Sequence, residues 1–135
     1  MERVFADTGY WIALLNPRDE LHPRAMEFSR TFGLERIVTS EMVLTEFLNG
    51  LSPYGPYHRQ AAARAVESLR ASGAAIVAQT PQLFAQALSR YRAMADKSWS
   101  LTDCASFLIM EAEHLSVALT HDGHFAQAGF QALLR

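Results

Sequence analysis

A chain of 135 residues, half of them apolar, can bury a sizeable core in one compact domain spanning 1–135 without disulfides or a structural metal. Its formal charge of −2 excludes the broad basic footprint expected of a protein that holds nucleic acid mainly by neutralising phosphates. The lone cysteine, Cys104, excludes a disulfide framework and a Cys/His zinc cluster, and Gly9 to Leu15 is too short to cross a bilayer, so a reducing, cytoplasmic setting is expected.

In chain order, Arg3 to Ala6 is a short apolar run suited to a buried strand, and it ends at Asp7. A helix with Pro23 near its first turn and Gly33 after its last precedes a second strand, Arg36 to Thr39. Ser40 then caps a helix whose apolar stripe is Val43, Leu44, Phe47, Leu48 and Leu51, with Glu46 on the other side beside Met42 and Asn49. The segment Ser52-Pro53-Tyr54-Gly55-Pro56 is the one loop rich in turn residues. Gly73 stops the next helix, Ala75 to Ala78 reads as a strand, and Thr80-Pro81 as cap and first residue of another helix. Ser100 to Asp103 has capping-box spacing ahead of a helix to about His114, although the box prefers Glu or Gln at its last place. Strands at Ser116 to Thr120 and Phe130 to Leu133 complete the chain, which contains neither repeats nor a low-complexity boundary. Strands alternating with helices predict an α/β fold, with a mostly parallel sheet of about five strands and helices on both faces.

Open parallel sheets bind ligands beyond the carboxyl ends of their strands. That rule nominates Asp7, at the end of the first strand, and Asp122, after the strand Val117 to Thr120. Asp103 lies in the first turn of a helix, but its side of the sheet stays open, because it depends on where the preceding connection carries the chain. Glu46 sits about 9 Å along its helix from Ser40, at about 1.5 Å per residue, and so stays near the same edge. Taken singly, Asp7 and Asp103 read as helix caps, Glu46 as a solvated residue and Asp122-Gly123 as a turn.

Jointly they do not. Val4-Phe5-Ala6-Asp7-Thr8, Thr39-Ser40 through Thr45-Glu46-Phe47, Ser100-Leu101-Thr102-Asp103, and Leu119-Thr120-His121-Asp122-Gly123-His124-Phe125 resemble, in order and setting, the motifs of PIN domains. The resemblance spans most of the chain and includes the prokaryotic, VapC-like toxins of toxin–antitoxin pairs. It implies a three-layer α/β/α fold in which the carboxylates of Asp7, Glu46, Asp103 and Asp122 converge on one pocket. It further implies an endoribonuclease using Mg²⁺ or Mn²⁺, an RNA substrate, an antitoxin protein and a homodimer. The alternative is a PIN-fold module that binds RNA or protein without catalysis.

Gathered carboxylates raise one another's pKa unless a cation compensates, and hard oxygen donors suit Mg²⁺ or Mn²⁺. An ion held there would acidify a water and stabilise charge on the phosphate during phosphodiester hydrolysis. In this reading Asp7 and Asp103 are metal ligands, Glu46 binds metal or orients water, and Asp122 coordinates directly or through water. Leaving those four out of the 14 acidic residues leaves ten against 12 Lys and Arg, a balance of +2. Around the site, Thr8, Ser40 and Thr102 read as caps, and His121 and His124 as loop residues rather than ligands. Arg90, Arg92 and Lys97 either steer phosphate or solvate a helix end, and Asp96 is a further acidic neighbour. Trp11, Trp99, Tyr54 and Tyr57 read as core or interface rather than a stacking platform. An aspartyl-phosphate phosphatase or receiver is disfavoured, because Asp7 has no second acid two residues on and no lysine follows the Val117 strand.

Overall fold

The structure, a computed structural model, describes residues 2–135. Strands β1 (Val4–Ala6), β2 (Ile37–Ser40), β3 (Ala75–Val77), β4 (Val117–Leu119) and β5 (Gln131–Ala132) form one sheet. Its order is β3-β2-β1-β4-β5, and every pairing is parallel. The helices are α1 (Thr8–Leu15), α2 (His22–Thr31), α3 (Glu41–Leu51), α4 (Pro56–Arg70), α5 (Pro81–Ala93), α6 (Leu101–Ala112) and α7 (Gly123–Gln127). None of the described helices is long and apolar enough to cross a membrane.

Period-two alternation in β1 divides the core into layers. Phe5 and its β2 neighbour Val38 face a cluster with Ala87, Phe107 and Phe125, drawn from α5, α6 and α7. Val4 and Ala6 face the opposite side, against Tyr10, Ala13 and Ala25 of α1 and α2. A third cluster, Phe47, Leu51 and Ala62, joins α3 to α4. This is the expected three-layer α/β/α arrangement, with a sheet parallel throughout.

Local chemistry ends the elements where the sequence places its punctuation. Ser40 accepts from the Val43 amide at 3.1 Å, and Thr80 from the Leu83 amide at 3.1 Å. Gly55 stands at φ 95°, ψ −179° before Pro56, a conformation that a Cβ would disfavour. At the end of α6 the Leu115 amide bonds Met110 O at 2.8 Å and the His114 amide bonds Glu111 O at 3.3 Å. His114 lies at φ 56°, so the helix closes as a Schellman turn with histidine where glycine is usual. One expectation fails: Met42 is buried, not on the solvent side with Glu46. The first turn of α3 packs against α6 as well as the sheet, so Met42, Val43 and Leu44 are all covered and the buried sector exceeds one stripe.

The topology also answers the question left open for Asp103. β1, β2 and β3 build outward to one edge, and the chain then crosses to β4 on the far side of β1. Two helices fill that crossover, and the turn at His114 leads α6 straight into β4. The start of α6 therefore lies at the carboxyl edge, where β1 and β4 diverge into their separate connections.

Candidate active site

Asp7 opens the site. Its amide donates to Leu119 O at 3.2 Å, which fixes it across the β1–β4 junction. Although it is the N-cap of α1, its side chain makes no capping hydrogen bond. The residue is only 8% exposed, and its Oδ2 accepts from Thr120 Oγ1 at 2.9 Å. Burial pushes its pKa from 3.8 up to about 7; the Thr8 amide and the Thr120 hydroxyl hold it back, while the negative charges of Asp103 and Glu46 raise it further. A carboxylate this deep, facing two more acids and not spent on capping, is the donor chemistry that a divalent cation compensates.

Thr120 ties two strand ends together, because its Oγ1 also accepts from the Asp122 amide at 3.1 Å. Asp122 caps α7, accepting from the His124 amide at 2.9 Å. Asp103 completes a full capping box: its amide donates to Ser100 Oγ at 2.9 Å and its Oδ2 accepts from the Ser100 amide at 3.0 Å. Aspartate is shorter than the preferred glutamate, yet it closes the box. The same Oδ2 lies 2.9 Å from His124 Nδ1, while Asp122 Oδ1 lies 3.3 Å from that nitrogen. A carboxylate can only accept, so Nδ1 carries the proton, and in the neutral ring Nε2 accepts from Ser98 Oγ at 3.3 Å.

Glu46 approaches from α3, and its Oε1 accepts from Thr8 Oγ1 at 2.6 Å. Thr8 thus orients Glu46 and is not a cap; nor is Thr102, since Ser100 holds that role in α6. Only Ser40 of the three keeps its expected function.

The four acids share one neighbourhood, but the tightest group is different in membership. Asp103, Asp122 and His124 each offer a donor atom within 4.8 Å of the others. Asp7 and Glu46 stand outside that group, coupled to it through Asp7–Asp103 electrostatics and the Thr8–Glu46 bond. His124 therefore packs into the acid cluster, a contact that its place in sequence did not indicate. His121 is exposed and apart, and Asp96 is exposed and, among the described residues, pairs only with Lys97 at 3.5 Å. Arg90 is committed to Glu111 through two bonds of 2.6 and 2.9 Å and so is withdrawn from phosphate steering. Trp99 is core, its Nε1 donating to Gln127 at 3.0 Å; Trp11 is partly buried and donates to Thr39 at 3.3 Å; Tyr54 and Tyr57 are exposed, far outside any core. Thr120 and Ser98 carried no sequence signal beyond a hydroxyl next to an acidic motif.

The PIN domain family model matches residues 4–131. No curated protein matches the chain. Among solved structures, the chain is similar to VapC20 of Mycobacterium tuberculosis, described as a sarcin-ricin loop cleaving toxin. The identity is 27%, with a TM-score of 0.83 and coverage of 94% of this chain and 95% of that one. FitAcB from Neisseria gonorrhoeae shares the fold at 18% identity and a TM-score of 0.64, covering 96% of this chain and 94% of that one. So does PAE2754 from Pyrobaculum aerophilum at 16% identity and a TM-score of 0.64, covering 98% and 90%.

Proposed function

From the premise that this chain belongs to the PIN-domain family, we propose that residues 1–135 act as one catalytic domain, a Mg²⁺- or Mn²⁺-dependent endoribonuclease. The observation that carries the reading is Asp7: a buried carboxylate, free of capping duty, beside Asp103 and Glu46 at the carboxyl edge of the sheet. The residues fit a hard divalent ion. Asp7, Asp103 and Asp122 would hold it, with Glu46 as a further ligand or as the group that orients the attacking water. When bound, the ion supplies charge neutralisation and Lewis acidity toward phosphate and water.

The chain's own contribution is placement. Thr120 fixes Asp7 relative to Asp122, the Ser100 box and His124 fix Asp103, and the Thr8 hydroxyl aims Glu46. Each acid thus meets the substrate phosphate with its rotamer already set, which lowers the reorganisation needed in the transition state. Likeness to VapC20, a sarcin-ricin loop cleaving toxin, supports RNA as substrate and the role of a toxin; a cytoplasmic setting and an antitoxin protein that holds the enzyme in check complete the proposal. Phe84 and Leu88, one turn apart on α5 and 42% and 44% exposed, support a homodimer that covers them.

The decisive experiment incubates purified protein with Mg²⁺, with Mn²⁺ and with EDTA on a panel of unstructured, transfer and ribosomal RNAs. Metal-dependent endonucleolytic products are expected. Metal binding with every RNA left intact would refute catalysis and favour the non-catalytic module instead.

A further inference from the structure

Next to the acids, the connection from α5 to α6 walls an open cleft of about 490 Å³, bounded by Tyr91, Arg92, Lys97, Ser98, Trp99 and Ser100. Two of its wall residues are bonded to the acid cluster. Ser98 shares its hydrogen bond with His124, and the Ser100 amide donates to Asp103. Its charge, however, is opposite in sign. Arg92 has no carboxylate within ion-pair distance among the described residues, and Lys97 meets only the exposed Asp96 at 3.5 Å. Tyr91, 52% exposed, presents a ring at the rim, while Trp99 is a rigid wall, packed edge-on against Phe107 with centroids 5.0 Å apart.

We infer that this cleft is a subsite for single-stranded RNA beside the cleaved bond, with Arg92 and Lys97 on a flanking phosphate and Tyr91 against a base. The inference rests on the nuclease reading and adds where the substrate chain runs. A phosphate over the acids arrives opposite the ion that they hold, whereas its neighbours along the strand have no such ion and need cations from the protein. At that place Arg92 has no ion-pair partner among the described residues and Lys97 has only the long, exposed pair with Asp96 at 3.5 Å, which a phosphate can displace, and a ring that accepts any base suits a single strand. A helical peptide is the weaker match, because an apolar groove of about 260 Å³ lined by Trp11, Leu14, Leu15, Phe47 and Val66 suits it better.

The test uses the full chain and a fluorescein-labelled random-sequence single-stranded RNA, with Ca²⁺ replacing Mg²⁺ for binding and Mn²⁺ titrated separately. Arg92→Ala with Lys97→Ala should weaken RNA binding tenfold or more and lower the log–log salt slope by about one per cation removed. Cleavage should show a raised KM at nearly constant kcat, and Mn²⁺ affinity and melting temperature should be unchanged. Arg92→Lys should keep the slope, and Tyr91→Ala should weaken binding several-fold without changing it. Unchanged RNA affinity in the double variant, a fall confined to kcat or to Mn²⁺ affinity, or wild type that binds no RNA would each overturn the subsite. A wild type that cleaves normally while the variants match it refutes the subsite alone. A wild type that binds RNA through these residues but cuts nothing refutes the nuclease reading and leaves the subsite standing.

Discussion

Asp7→Asn in metal-free protein isolates the electrostatic tension that the site stores. The carboxyl titrates near 3.8 when unfolded and near 7 when folded, chiefly because burial disfavours its charge. Between those values the folded state holds a proton that the unfolded state has lost, so stability falls as pH rises. The gap is about 3 pH units, and at about 1.4 kcal/mol per unit the loss approaches about 4 kcal/mol once pH exceeds the folded value. Asparagine keeps the shape and a side-chain oxygen for Thr120 but cannot ionise. Urea unfolding in EDTA from pH 4.5 to 8 should therefore find the variant and wild type close at the acidic end, with the variant more stable by several kcal/mol at the alkaline end. Other ionisable groups shift both curves; Glu111, whose pKa Arg90 lowers, contributes stability that is lost in acid, and the difference between the proteins cancels such terms. Mn²⁺ should stabilise wild type at pH 8 and leave the variant unmoved. Parallel stability curves would refute the account of Asp7 as a strained, cation-seeking carboxylate.

Three further outcomes follow from the hydrogen-bond network. Asp103→Asn should cost the metal-free fold about 0.3–1 kcal/mol through weakened charge–dipole attraction at α6, yet lower Mn²⁺ affinity and cleavage by about two orders of magnitude or more; unchanged calorimetric affinity would reduce it to a cap. His124→Asn places an amide nitrogen near the Nδ1 position and should preserve Mn²⁺ affinity, whereas His124→Gln and His124→Ala should lose about tenfold; equal losses in all three would point to direct ligation by imidazole. Thr8→Val removes the donor to Glu46 without changing volume and should lower kcat about tenfold while Mn²⁺ affinity and melting temperature hold, as single-turnover kinetics can establish.

The five strands were legible because each is a short apolar run bounded by turn chemistry, and β1 and β4 are followed by Asp7 and Asp122, the residues that the carboxyl-edge rule nominates. Ser40 and Thr80 announced their helices because a cap needs only contacts within three residues. What stayed hidden is what depends on strand order. The chain from Leu101 to Leu119 reads the same wherever β4 inserts, and only its place beside β1, across the sheet from β3, brings Asp103 to Asp7. The contacts of His124 were hidden for the same reason. Two positions after Asp122 its one partner near in sequence is that aspartate; its others, Asp103 and Ser98, lie 21 and 26 residues away. Thr8 was misread because a hydroxyl in a first helical turn usually caps, and its actual acceptor, Glu46, is 38 residues distant on the exposed side of α3, where periodicity had placed it. In each case local physics assigned a role that one side chain can fill alone. The fold reassigned it wherever the parallel sheet brought a second polar group within hydrogen-bond reach, and in this chain those reassignments gather at the carboxyl edge between β1 and β4.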